Sequence, residues 1–136
     1  MMLFAAQRIN ETIDVSLLDA HGCVLSQDVS STVDVPPADN SAMDGYALRV
    51  IDVEQALPVS QRIPAGTVGS PLKKACAARV FTGAAIPAGA DAVVMQENCT
   101  EVAGNVSVSG PVIKGQNIRY RGQDIKSGDT VLAKGR

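Results

Sequence analysis

Seven prolines and twelve glycines cut this chain into short apolar segments, and that punctuation limits its fold more than any other feature. Proline removes a backbone donor and holds its neighbour extended, while glycine takes positive φ at little steric cost. Little room is left for the 3.6-residue periodicity of a long helix, and the pieces between breakers are strand-sized. Residues 11–17 alternate, with Ile13, Val15 and Leu17 on one face, and predict an extended strand. Further strands are predicted at 30–35, 46–50, 78–82, 91–95, 112–113 and 130–136. The 91–95 run, Asp91-Ala92-Val93-Val94-Met95, is continuous enough in its apolar residues to be buried. Residues 58–64 carry proline at both ends and predict an edge strand, because proline cannot donate to a ladder. A hairpin is expected within 102–112, turning at Gly104-Asn105. Leu18 to Gly22 reads as one helical turn closed by glycine. Residues 23–29 are extended or briefly helical, and 51–57 and 72–78 are short helices or loops. The fold class expected is mainly β, α+β at most.

Composition narrows the function classes. Aromatic residues make up 3% of the chain and tryptophan is absent, so a stacking platform for single-stranded nucleic acid is not expected. A formal net charge of −2 and a pI near 5.2 argue against a polyanion or membrane-surface binder. No apolar run approaches the ~20 residues that span a bilayer. The first residues hold an apolar patch with no basic segment before it, and Gln7 and Arg8 interrupt it early, so no secretory signal is expected. Cys23, Cys76 and Cys99 form no C-x-x-C pair, which leaves idle or buried thiols in a reducing cytoplasm as the expectation. His21, the single histidine, sits beside a turn glycine and reads as a surface or capping residue.

Chemistry concentrates in three places. After Pro36-Pro37 comes a loop of small and polar residues, Asp39-Asn40-Ser41-Ala42-Met43-Asp44-Gly45-Tyr46-Ala47. Asp44 either shapes an Asp-Gly turn through its own backbone or is held there for chemistry, and local pattern does not separate the two. Thr82 and Gly83 end the strand at 78–82; Thr82 either caps its own turn or offers a hydroxyl to an oxyanion, with Gly83 permitting close approach. Arg119, Arg121 and Lys126 crowd a third loop, with Lys114 upstream. They are a solvated face or, beside glycine, a guanidinium clamp for phosphate.

The strings DNSAMDGYALR, the run from Val80 through Thr82-Gly83 and Ala90-Asp91-Ala92-Val93-Val94 to Glu97, and Gly115-Gln116-Asn117-Ile118-Arg119-Tyr120-Arg121-Gly122-Gln123-Asp124-Ile125 resemble the three signature blocks of the molybdopterin molybdotransferases. This is the MoeA and gephyrin E-domain family. The blocks occur in the family's order across most of the chain, which makes the resemblance highly specific.

The resemblance implies a small β domain inserted in an elongated first domain. Residues 1–38 would begin the elongated domain, 39–125 form the inserted domain, and 126–136 return toward the first. It also implies the N-terminal portion of a larger multidomain enzyme, with Arg136 expected to be a cut and the fragment alone inactive. The reaction implied is insertion of molybdate into adenylylated molybdopterin with release of AMP. A homodimer is implied too, in which this part faces the pterin- and nucleotide-binding domain of its partner. Asp44, Thr82 and Asp124 take catalytic positions by this resemblance, and Ser41, Gly83, Arg119 and Arg121 take substrate-binding ones. Holding a pyrophosphate link calls for a divalent cation, and Mg²⁺, on Asp44 and Asp124, suits one or two carboxylates plus phosphate oxygens. Gln123 departs from the family's usual Glu and removes one negative charge there. The alternative is a non-catalytic interaction module of the same fold, as gephyrin's role in anchoring receptors illustrates.

Overall fold

The computed structural model describes residues 11–136. Its centre is a six-stranded sheet built from β3 (Gly45–Leu48), β4 (Leu57–Ile63), β5 (Ala77–Val80), β6 (Ala92–Met95), β7 (Cys99–Val102) and β8 (Asn105–Val108), ordered β6-β3-β5-β4-β8-β7. Three two-residue or three-residue strands lie outside it besides β1 (Val29–Ser30): β2 (Asn40–Ser41), β9 (Ile118–Arg119) and β10 (Thr130–Leu132). The only helical pieces among the described residues are 3₁₀ turns at Val50–Asp52 and Gln96–Asn98. The chain is mainly β, as its breakers require.

Alternation along the central strands separates two faces. Tyr46, Leu48, Ala92 and Val94 pack with Leu57, Ala77 and Val106 under the β7–β8 hairpin. Ala47, Ala78, Val80 and Val93 pack on the other side with Ile63, Leu72 and Ala84. Aliphatic and alanine side chains make this core almost alone, and they allow close strand approach. At Gly45 a Cβ would lie 2.0 Å from the Val94 carbonyl oxygen, so only glycine fits between β3 and β6.

Strand β4 is central and not an edge. Its first residues, Leu57 and Pro58, pair with β8, and Val59 to Ile63 pair in parallel with β5. Each flank of β4 is therefore bonded over only part of its length. Proline at the start of the strand is compatible with that arrangement, so the proline rule holds for one flank at a time and not for the strand. The hairpin turns at Ala103-Gly104, both with positive φ, one residue earlier than expected. Residues 11–17 and 112–113 form no strand: neither finds a ladder partner, and alternation without a partner leaves only extended chain.

Beyond the sheet, two distant stretches lie side by side. β1 pairs with β10, Val35 bridges Ile125, and the Leu25 N–H donates to the Arg136 carbonyl while the Gly135 N–H donates to that of Leu25. Leu18 to Gly22 forms turns and not the helical turn expected, with Gly22 at φ +83°, while His21 is exposed, as the sequence predicts.

Candidate functional site

The three sequence blocks meet at one end of the sheet. β2 pairs with β9, which sets Asn40 opposite Arg119 and Ser41 opposite Ile118. On its other flank the same loop meets the segment after β5: the Ser41 N–H donates to Ala84, the Gly83 N–H to Ser41, and the Ile86 N–H to Asp39. The Ala42 N–H donates to the Asn117 carbonyl at 2.9 Å. The Asn117 side chain donates in turn to the Val93 carbonyl at 3.0 Å, tying the third block to β6.

Asp44 bonds across loops and not to its own turn. Its Oδ1 accepts the Thr82 N–H at 2.8 Å and the Thr82 hydroxyl at 2.9 Å. Oδ2 carries no hydrogen bond from the described residues. The Thr82 N–H first, and its hydroxyl second, hold the Asp44 carboxyl below the ordinary carboxylate value against the opposing effect of burial, with a lesser contribution from the Arg79 charge. Asp44 is thus an ionised carboxylate with one oxygen anchored and one open. Thr82 spends its hydroxyl on Asp44 and so orients that acid. Gly83 has φ +80°, and a Cβ there would meet only the Ala65 methyl at 3.9 Å, so its conformation and the open space beside it suit a ligand's approach.

Ser41 plays a different part from the one expected. It is 1% exposed, and its hydroxyl donates to the Met43 carbonyl at 2.6 Å. Asx- and Ser-type turns of this kind shape a loop from within. Its geometry is that of a loop organiser, with the hydroxyl already committed.

The two arginines of the cationic loop are each paired with a carboxylate. Arg119 forms an ion pair with Asp124. The Arg121 Nε donates to Asp34 at 2.5 Å and its N–H to Asp39 at 2.8 Å. Arg121 therefore staples the loop to the segment before Pro36, while Arg119 stands opposite Asn40 of the β2 loop in the ladder. Asp34 also accepts the Ser127 N–H; that bond and Arg121 hold its carboxyl below the usual range. Gln123, where the family commonly has Glu, accepts the Tyr120 N–H at 2.9 Å through its side-chain oxygen, which closes the loop without a charge.

For a divalent cation, Asp44 fits: its open oxygen is the kind of single carboxylate that Mg²⁺ takes together with phosphate oxygens and water. Asp124 already has a guanidinium as its cation. No group of three or more metal-ligating side chains comes together among the described residues. Sequence reasoning passed over Asp34, Asp39, Asn117, Arg79 and Gln96. The φ of +54° at Asn117 is the sort of left-handed position that asparagine tolerates, and that residue type was the available signal.

Comparison with known proteins settles the lineage. Residues 2–136 match the family model described as the MoeA N-terminal region, domains I and II. The chain belongs to this family. It is 42% identical over 132 residues to the molybdopterin molybdenumtransferase of Synechococcus elongatus, covering 89% of this chain and 32% of that protein. Identity to the Haemophilus influenzae enzyme of the same name is 41% over 132 residues, 92% of this chain and 32% of the relative. The crystal structure of the molybdopterin biosynthesis MoeA protein from Pyrococcus horikoshii superposes with a TM-score of 0.87 at 40% identity, over 93% of this chain and 35% of that one. This MoeA-family chain therefore spans about a third of the length of the relatives it matches. No helix among the described residues is long and apolar enough to cross a membrane.

Proposed function

We propose that this chain supplies one wall of a molybdopterin molybdotransferase site, at which molybdate is inserted into adenylylated molybdopterin and AMP is released. The observation that carries the reading is the meeting of all three family blocks around the β2 loop, where the Asp44 carboxylate is anchored by Thr82 and open at Oδ2. The name molybdopterin molybdenumtransferase, borne by relatives in two bacteria, supports the reaction class.

Within that wall Asp44 is the catalytic carboxylate and the candidate Mg²⁺ ligand, and Thr82 fixes its rotamer and its charge. Mg²⁺, when bound, draws charge from the pyrophosphate link. Arg119, released from Asp124, offers a planar fork to a phosphate or molybdate oxygen. Asp124 then holds that guanidinium in register between turnovers, and Gly83 leaves room for the ligand. We assign 1–38 with 126–136 to one unit and 39–125 to the inserted one; among the described residues the β1–β10 pairing supports this division, and the Val35–Ile125 bridge lies at its boundary. The chain provides no nucleotide-binding fingerprint, so pterin and nucleotide are held by a further region, in a homodimer working in the cytoplasm.

The test is a chimera in which residues 2–136 replace the matching third of the Haemophilus influenzae enzyme. Molybdate insertion by the chimera, with none from this chain alone, is the result expected. A chimera that folds and dimerises but binds no adenylylated molybdopterin would remove the proposal.

A further inference from the structure

Arg79 lies midway along β5 on the same sheet face as Tyr46, its register partner in β3. Its guanidinium is 5.0 Å from the Tyr46 ring centroid and 5.0 Å from that of Phe81. One nitrogen, Nη2, donates to the Gln96 side-chain oxygen. The other, Nη1, is buried with no partner among the described residues. Two aromatic faces offset part of the cost of burying such a donor, but an apolar side chain would fill the same space without that cost. A charge retained under these conditions calls for a reason beyond packing.

The contacts on either side of Arg79 supply one. Three residues along the chain, Thr82 makes both hydrogen bonds to Asp44 Oδ1. Across the sheet, the residue gripped by Arg79, Gln96, donates its own N–H to the Asp44 carbonyl at 3.0 Å. Asp44 is therefore fixed at its side chain by Thr82, two residues past the strand that carries Arg79, and at its main chain by the residue Arg79 holds.

We propose that Arg79 is a positioning residue for Asp44: by clasping Gln96 and stacking between Tyr46 and Phe81, it locks β5 and the Gln96 turn against the loop that presents the Asp44 carboxylate. This rests on the reading of Asp44 as the working acid of the site. The Arg79 charge, which also favours the ionised form of Asp44, acts in the same direction as the geometry. Arg62 stacks on Phe81 at 4.5 Å, so the guanidinium column continues to β4, away from Asp44.

The experiment is amide hydrogen exchange by NMR on the 136-residue chain. Arg79→Met keeps the stem and removes the charged fork. Exchange at the Thr82 and Gln96 amides is expected to quicken by about tenfold, the loss of roughly one hydrogen bond's protection, while the β3–β6 amides stay protected. Arg79→Lys, which keeps the charge but not the planar fork, is expected to recover part of the Thr82 protection. Should Arg79→Met fail to fold, Gln96→Ala breaks the same clasp from its exposed end and is expected to quicken Thr82 exchange as well. Unchanged Thr82 and Gln96 amides in the folded variant would overturn the proposal. This readout does not involve turnover, so an inactive role for Asp44 would show separately, as undiminished molybdate insertion by Asp44→Ala.

Discussion

The sheet and the flanking ribbon hold themselves together by different means. In the sheet, Ala47, Leu48, Leu57, Ala77, Ala78, Val80 and Val93 are fully buried, and stability comes from apolar contact. In the ribbon formed by residues 11–35 and 125–136, Leu17 and Leu18 are each 91% exposed, and β1 and β10 show no buried residue. The ribbon is joined instead by main-chain hydrogen bonds between its two stretches and by carboxylates accepting main-chain N–H groups across it, Asp34 from Ser127 and Asp28 from Lys134. The candidate site lies on the sheet side of the seam between them, which Arg121 closes through Asp34 and Asp39. A rigid apolar frame thus carries the Asp44–Thr82 pair, while a polar, charge-dependent seam stands beside it.

The sharpest way to break this contrast is Gly45→Ala. Its methyl would overlap the Val94 carbonyl inside the sheet, and a loss of roughly 4 kcal/mol is expected. Urea unfolding would show it as a lower midpoint, and an unchanged midpoint would mean that β3 and β6 are not so closely packed. Next in size is Leu57→Ala, at about 3 kcal/mol for a fully buried leucine. Its counterpart in the ribbon, Leu17→Ala, is expected to stay within about 0.5 kcal/mol. Equal effects at the two leucines would erase the distinction.

Acid discriminates more finely. The folded-state pKa of Asp34 is depressed below the ordinary 3.8 by the Ser127 N–H and by Arg121. Its contribution is therefore complete above the unfolded value and disappears as pH falls through the lower folded value. Stability measured below pH 3.8 should fall less steeply in Asp34→Asn than in the unaltered chain, whose seam depends on the charge. Asp44 has the same sign and a different location, so Thr82→Val should weaken its acid dependence and leave that of Asp34 intact. Its effect on overall stability is expected to be smaller than that of Leu57→Ala, because the Thr82 N–H still reaches Asp44.

Much of the frame was legible in the sequence because its physics is local. A short, β-branched apolar run between breakers favours an inside strand, and 91–95 became the buried β6. The mainly β class followed from the spacing of glycine and proline. The place of β4 was not legible: Pro58 forbids donation at one point on one flank, and only the assembled sheet shows which flank is bonded where. Alternation over 11–17 carried a strand signal without a partner, and pairing is a non-local fact. At the site, the resemblance marked Asp44, Thr82 and Arg119, and the fold brought their blocks together. The partners of Arg121 could not be foreseen, since Asp34 lies 87 and Asp39 lies 82 residues away. Arg79 was hidden by its setting, because a lone arginine in a strand reads as solvent-facing until its rings and its clasp are seen.

The most direct measurement is molybdate insertion by the complete gene product carrying Asp44→Ala, with its fold checked by the same urea transition as the unaltered protein. Removing the acid that Thr82 anchors is expected to lower turnover roughly 100-fold or more while leaving the unfolding midpoint nearly in place. Turnover equal to that of the unaltered protein, in a variant that folds normally, would contradict the assignment of this surface as the wall of the site.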